Sequence, residues 1–154
     1  MREIKFRAWD KVTKKIYPVS SLAFTGNGNL DRVIIFNGRP LESGESIRVP
    51  DEVVLIQYTG LKDKNGKEIY EGDIVRLCLA HYPWIYEEKG EKPPLNHASI
   101  CTIEVENLTP YVVEDDDNVW PLFWIFNEIK CGHASIEVIG NIYENPELLE
   151  GTEK

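Results

Sequence analysis

Basic residues, cysteines and long apolar runs are all scarce in this 154-residue chain, and each scarcity narrows what it can be. The 17 Lys and Arg face 26 Asp and Glu, a formal net charge of -9. That balance weighs against sequence-independent binding to DNA or RNA, which rests on neutralising phosphates. Cys78, Cys101 and Cys131 are odd in number and widely spaced, unlike the framework of a secreted disulfide-rich domain. No apolar run approaches the roughly 20 residues that span a bilayer. The opening Met1-Arg2-Glu3-Ile4-Lys5-Phe6-Arg7 is charged and no apolar segment follows it, unlike a secretory signal. These absences lead us to expect a soluble cytoplasmic protein with reduced thiols and no membrane association.

Catalytic signatures are missing too. Ser20, Ser21, Ser43, Ser46, Ser99 and Ser135 lie in no Gly-x-Ser-x-Gly context. His97 precedes Ser99 and His133 precedes Ser135, but nearness in sequence does not make a triad. The glycines, Gly26 and Gly28 among them, form no phosphate loop leading into a helix.

What is present is strand pattern and turn chemistry. The chain is organised around residues 57–75, where Asp63-Lys64-Asn65-Gly66 separates segments of strand character. Asn and Gly tolerate positive φ and close a hairpin at little steric cost. Ile69, Ile74 and Val75 follow as strand positions, with Gly72-Asp73 a second turn or bulge. Tyr58 to Leu79 therefore reads as the hairpin-plus-strand nucleus of a small β-barrel.

Before it, Glu3 to Trp9 alternates Ile4, Phe6 and Ala8 against polar residues, the period of a half-buried strand. Asp10 to Lys15 is turn-like, and Ile16 to Val19 resumes an extended segment that Pro18 either places at a sheet edge or ends. Gly26 to Asn29 is a loop tip, Val33 to Phe36 a buried strand, and Arg39 to Pro50 polar and irregular. Val53 to Ile56 is a further apolar run. Beyond the nucleus, Arg76 to Ala80 continues a strand towards Trp84, and Glu87 to Asn96 is a charged, Pro-containing loop. Ser99 to Glu106 alternates Cys101, Ile103 and Val105 against Thr102, Glu104 and Glu106. Val119 to Phe126 is the most apolar stretch, and Pro121 near its start fits a short helix. Ser135 to Ile142 is the last strand, interrupted at Gly140. Asn145-Pro146-Glu147 reads as a helix start, with a short helix ending near Gly151.

Short strands, turns and few helical segments predict an all-β, mainly antiparallel fold of small β-barrel-like subdomains with one or two short helices. The division falls near Gln57: residues 1–57 an N-terminal β subdomain, residues 58–154 an SH3-like barrel with the C-terminal helix.

Four blocks carry a family likeness: Arg2 to Asp10, Gln57 to Gly66, Ile69 to Val75 and Val138 to Leu148. Together they resemble the YopX family, small proteins encoded by phages and prophages of bacteria, along essentially the whole chain. Ser20 to Pro50 and His81 to Lys130 show no family pattern. The resemblance implies an all-β fold with barrel-like subdomains and a cytoplasmic, phage-derived context in a bacterial host. It carries over no activity and no catalytic residues.

Several groups invite chemistry. Cys78-x-x-His81 and Cys131-x-His133 have the spacing of paired zinc ligands, with Cys101 in reserve; apolar strand faces that bury free Cys are the simpler account. Glu68, Glu71 and Asp73 are close enough to hold a divalent cation or act as acid and base, but Asp73 after Gly72 is more simply a turn residue that accepts backbone N–H bonds. Glu114 to Asp117 lacks the spaced acidic pattern and later Glu of a calcium loop and should be solvated. Tyr82, Trp84, Tyr86, Tyr111, Trp120, Phe123, Trp124 and Phe126 divide between core filling and exposed anchors for a partner or a second copy. The expectation is a non-enzymatic phage accessory protein, without cofactor or catalytic residues, that acts by protein contact with a host or phage protein or as a homo-oligomer. The alternatives are a nucleic-acid-binding small barrel and a metal-dependent enzyme.

Overall fold

The computed structural model describes residues 3–37, 44–80, 88–91, 93–107 and 109–150. It divides into two compact units, residues 1–58 and 59–154. Strand is the dominant element and the pairing is mainly antiparallel.

In the first unit the strands are β1 (Phe6–Asp10), β2 (Lys15–Phe24), β3 (Leu30–Phe36), β4 (Glu45–Arg48) and the start of β5 (Val53–Lys62), in the spatial order β4-β3-β2-β1-β5. One face buries Ala8, Val33, Ile35 and Val53, with Tyr17, Val19, Leu22 and Leu55 packed around them. Asp10 ends β1 on that face with no exposed surface. Its carboxylate accepts two bonds from the Arg48 guanidinium, Nε to Oδ1 at 3.0 Å and Nη2 to Oδ2 at 2.9 Å. β4 and β1 stand three places apart, which in a flat sheet is about 14 Å. A direct bidentate contact at that remove requires the sheet to curl until β4 folds back towards β1. No ladder joins them among the described residues, so the unit has a barrel's curl without its closure.

Three expectations are corrected here. Ile4 precedes the first ladder pair and is 72% exposed. The polar stretch before Pro50 contains β4, paired along β3 from Val33↔Arg48 to Phe36↔Glu45. Pro18 lies inside a ten-residue strand flanked by β1 and β3, not at an edge. It is tolerated because it opposes Arg7 on β1 while pairing with β3 begins only at Val19, beside a bulge.

In the second unit the end of β5 pairs with β6 (Glu68–Tyr70), and a five-stranded sheet has the order β10-β9-β8-β7-β11. Its strands are β7 (Asp73–Ala80), β8 (Leu95–Glu106), β9 (Thr109–Val113), β10 (Val119–Pro121) and β11 (Ala134–Asn141), with helix α1 (Leu122–Cys131) between the last two. Among the described residues no ladder closes this sheet into a barrel, and a helix packs on one face. Val75, Leu77, Cys101, Ile103, Val112, Ile136 and Val138 meet Leu122 and Ile125 of α1 in one core.

The expected hairpin closes at Asp63 to Lys67, with Gly66 at φ +81°. Asp63 organises it. Oδ1 accepts the Asn65 and Lys67 N–H groups at 2.8 and 2.9 Å, and Oδ2 accepts that of Val138 at 3.0 Å. Gly140 marks a bulge in β11. The predicted C-terminal helix is a single 3-10 turn, Pro146–Leu148. Asn145 does not cap it; its Oδ1 accepts the Asn141 N–H instead. A longer helix starting near Asn145 loses that cap, and residues 151–154 lie outside the described residues.

Candidate interaction surface

Helix α1 begins where Pro121 can no longer continue β10 and ends at Gly132, φ +80°. There the N–H groups of Gly132 and His133 return to the Ile129 and Glu128 carbonyls at 3.0 and 2.9 Å. At 100° per residue, Leu122, Ile125, Phe126 and Ile129 form one stripe, and all four pack into the core. Phe123 and Trp124 fall off the stripe. Their side chains are 63% and 40% exposed, and Asn127, Lys130 and Cys131 complete an exposed outer surface. The most apolar stretch of the sequence is thus apolar on both sides of the helix. Its inner side is accounted for by packing, and its outer side is not.

This division answers part of the question the aromatics posed. Trp120 and Phe126 pack against the core, while Phe123 and Trp124 face outward. Tyr111 is half-buried on β9; Tyr82, Trp84 and Tyr86 lie outside the described residues.

The model of the YopX protein family matches residues 5–150. The chain belongs to the YopX family. It is also similar to the crystal structure of protein EF1440 from Enterococcus faecalis, at 29% identity and a TM-score of 0.58, over 97% of this chain and 99% of that one. Protein yopX from Bacillus subtilis aligns at 21% identity and a TM-score of 0.60, over 96% and 98% of the two chains, a likeness of fold. No curated protein is matched.

The other candidates in this YopX-family chain separate once placed. Glu68 accepts the Tyr70 hydroxyl at 2.9 Å, and Asp73, 5% exposed, accepts the Tyr70 N–H at 2.8 Å. Glu71 lines a cleft beside Tyr143. Three neighbouring carboxylates therefore have three different surroundings. Asp115 bonds to the Asp117 and Asn118 N–H groups within its own turn, and Asp115, Asp116 and Asp117 are exposed. Cys101 is buried, and burial, with Glu114 and Asp115 nearby, pushes its thiol up to about 12, away from thiolate reactivity. Cys131 is exposed at the end of α1, Cys78 is half-buried on β7, and His133 Nδ1 is 3.1 Å from Glu128. His81 lies outside the described residues. Among the described residues no three His, Cys, Asp or Glu are grouped to hold a metal ion. His97 Nε2 does come within 3.1 Å of Ser99 Oγ, but no described residue orients the other ring nitrogen. Among the described residues no helix is long and apolar enough to cross a membrane.

Sequence reasoning missed Arg48 as the partner of Asp10, since the two are 38 residues apart. The outward pair on α1 was within reach: a helical wheel over residues 122–131 separates the two sides once the helix is granted.

Proposed function

We propose that this YopX-family protein acts by protein contact rather than by catalysis, with the outer side of α1 as its docking face. The observation that supports the reading is Phe123 and Trp124 side by side and exposed on a helix whose inner stripe is already buried. Aromatic side chains bring large apolar area at low conformational cost and dominate interface hot spots. Leaving two of them in water serves no packing purpose that the fold reveals. A phage-derived context, which the family resemblance implies, fits a small accessory protein working on a host or phage protein. Nucleic acid is disfavoured by the acidic balance, and Lys130 is the single cation on the outer side of the described helix.

The test is Phe123→Ser with Trp124→Ser in one chain. Proteins retained by the immobilised wild type from a bacterial lysate, and the wild type's own mass against concentration, are compared with those of the variant. The expected result is an unchanged circular-dichroism spectrum with loss of a retained protein or of self-association. A correctly folded variant that retains the same proteins and has the same mass would exclude this face.

A further inference from the structure

A second surface is built from other residues. In the second unit a cleft of about 260 Å³ opens between the Glu71-Gly72 turn, the Ile103-Glu104 stretch of β8 and Ile142-Tyr143 after β11. That is below the roughly 300–1,000 Å³ of sites for drug-sized ligands, and is the scale of one long side chain. Its walls are tied together by backbone. The Gly72 N–H donates to the Ile103 carbonyl at 2.7 Å, and the Gly72 carbonyl accepts the Ile142 N–H at 2.9 Å. Tyr143 is positioned by its own N–H, which donates to Asn141 Oδ1 at 3.1 Å. Gly72 has φ +76°, and a Cβ there would sit 3.1 Å from Tyr143 Cε2. The ring therefore lies against bare backbone at the cleft wall.

The chemistry of the lining has one sign. Glu71 and Glu104 contribute carboxylates, Tyr143 an aromatic ring, and Ile142 exposed apolar surface, while the side chain of Ile103 is fully buried and borders the cleft by its backbone. Among the described residues neither glutamate forms an ion pair; Glu104 accepts only the Thr102 hydroxyl at 3.3 Å. Burial and the Glu71 charge both raise the Tyr143 pKa, which keeps the phenol neutral and places negative potential at the ring. A planar cation with an apolar stem meets every one of these groups. Guanidinium pairs with carboxylates and stacks on aromatic faces, and its methylenes suit Ile142.

We infer that the cleft between Glu71, Glu104 and Tyr143 receives an arginine side chain of a protein partner. The site stands independently of the role assigned to α1. The probe is N-acetyl-arginine amide, titrated into the isotope-labelled full chain and followed by amide NMR shifts, with N-acetyl-citrulline amide as the uncharged isostere. Saturable shifts are expected at Gly72, Glu104 and Tyr143 with the arginine probe, in the millimolar class of a single-residue ligand. Added salt should weaken them, and the citrulline probe should bind about fivefold more weakly or worse. Glu71→Gln and Glu104→Gln should each weaken binding severalfold, and Tyr143→Phe, which keeps the ring, should bind where Tyr143→Leu does not. Shifts equal for both probes, shifts scattered over the acidic surface without saturation, or binding unaffected by the two Glu→Gln variants would each overturn the inference.

Discussion

The two units bury carboxylates in opposite ways. In residues 1–58, nine Lys and Arg stand against seven Asp and Glu; in residues 59–154, eight stand against nineteen. Five of the six arginines belong to the first unit. There the buried Asp10 is matched by a guanidinium, with the Thr13 hydroxyl and Val12 N–H adding bonds at 2.8 and 3.0 Å. In the second unit, where Arg76 is the one arginine, Asp63 is held by three backbone N–H groups and Asp73 accepts another. A counter-charge and a set of backbone dipoles both satisfy a carboxylate. They differ in what is left when one member is removed. A lost guanidinium strands a charge, whereas a backbone donor survives every substitution at its position except proline.

The sharpest way to break this comparison is Arg48→Met, which leaves Asp10 ionised and unpaired in the curled sheet. The expected loss is about 3–5 kcal/mol, read from urea unfolding. Adding Asp10→Leu should recover most of it, because an apolar pair needs no solvation. The pH dependence should also change. In the wild type, burial pushes the Asp10 carboxyl up, but bonds from Arg48, Thr13 and Val12 outweigh it and hold the group below the usual range. That stability is complete above the unfolded value of about 3.9 and lost as pH falls through the folded one. Without Arg48, burial is opposed only by the Thr13 and Val12 bonds, and the folded value rises. The variant's deficit should then shrink as pH is lowered towards about 4. A deficit below about 1 kcal/mol would show that the ion pair does not hold the curl.

Asp63→Asn is the matching change in the second unit and should cost less, about 1.5–3 kcal/mol. Asn keeps one acceptor oxygen for the Asn65 and Lys67 N–H groups but turns its amide towards the Val138 N–H. Burial raises the Asp63 pKa, but the Val138, Lys67 and Asn65 N–H groups together outweigh it, so the net is again a depressed value. Wild-type stability from this group is likewise present above about pH 3.9 and lost as pH falls through the folded value, and Asp63→Asn should remove that part of the acid sensitivity. Unfolding midpoints between pH 2 and 7, on the order of the full carboxylate range, would measure it. A larger loss in Asp63→Asn than in Arg48→Met would invert the comparison.

Local chemistry is what the sequence made legible. The Asn65-Gly66 turn, the Gly72-Asp73 turn, the alternation of Cys101 and Ile103, and the break at Gly140 each follow from residues within a few positions of one another. What escaped depends on distant partners. Arg48 lies in a polar stretch and looks like surface until the curl brings it to Asp10. β4 has only four residues and takes its identity from β3. Pro18 is acceptable because β2 meets β3 only beyond it, a matter of register. The exposed half of α1 takes a direction only once the helix is granted, since eight successive apolar or Pro positions carry no period of their own.

Gly66→Val sharpens the comparison at the hairpin that Asp63 organises. With φ at +81° and nothing within 4 Å of an added Cβ, the cost is backbone strain alone. It should amount to about 1–2 kcal/mol by unfolding midpoint, less for Gly66→Asn, which tolerates that conformation. Equal stability of Gly66→Val and wild type would mean that the turn relaxes to another form.

The smallest effect is expected at Asp73→Asn. Asp73 is 5% exposed and its Oδ2 accepts the Tyr70 N–H at 2.8 Å, which an Asn oxygen in the same orientation can also do. If the group is a backbone-satisfied turn residue, the loss is about 1 kcal/mol, the worth of weakening one hydrogen bond from charged to neutral. A carboxylate needed for its charge behaves differently, since the amide is no substitute for it in metal binding or proton transfer. The discriminating measurement is therefore Asp73→Asn against Asp73→Ala, by unfolding midpoint and by capture of whatever protein the wild type retains. Asn close to wild type and Ala markedly less stable is the turn's signature. Two variants that fold as well as wild type yet both lose the retained protein would make Asp73 part of a site, and would end the contrast between charge-matched and backbone-matched carboxylates at this position.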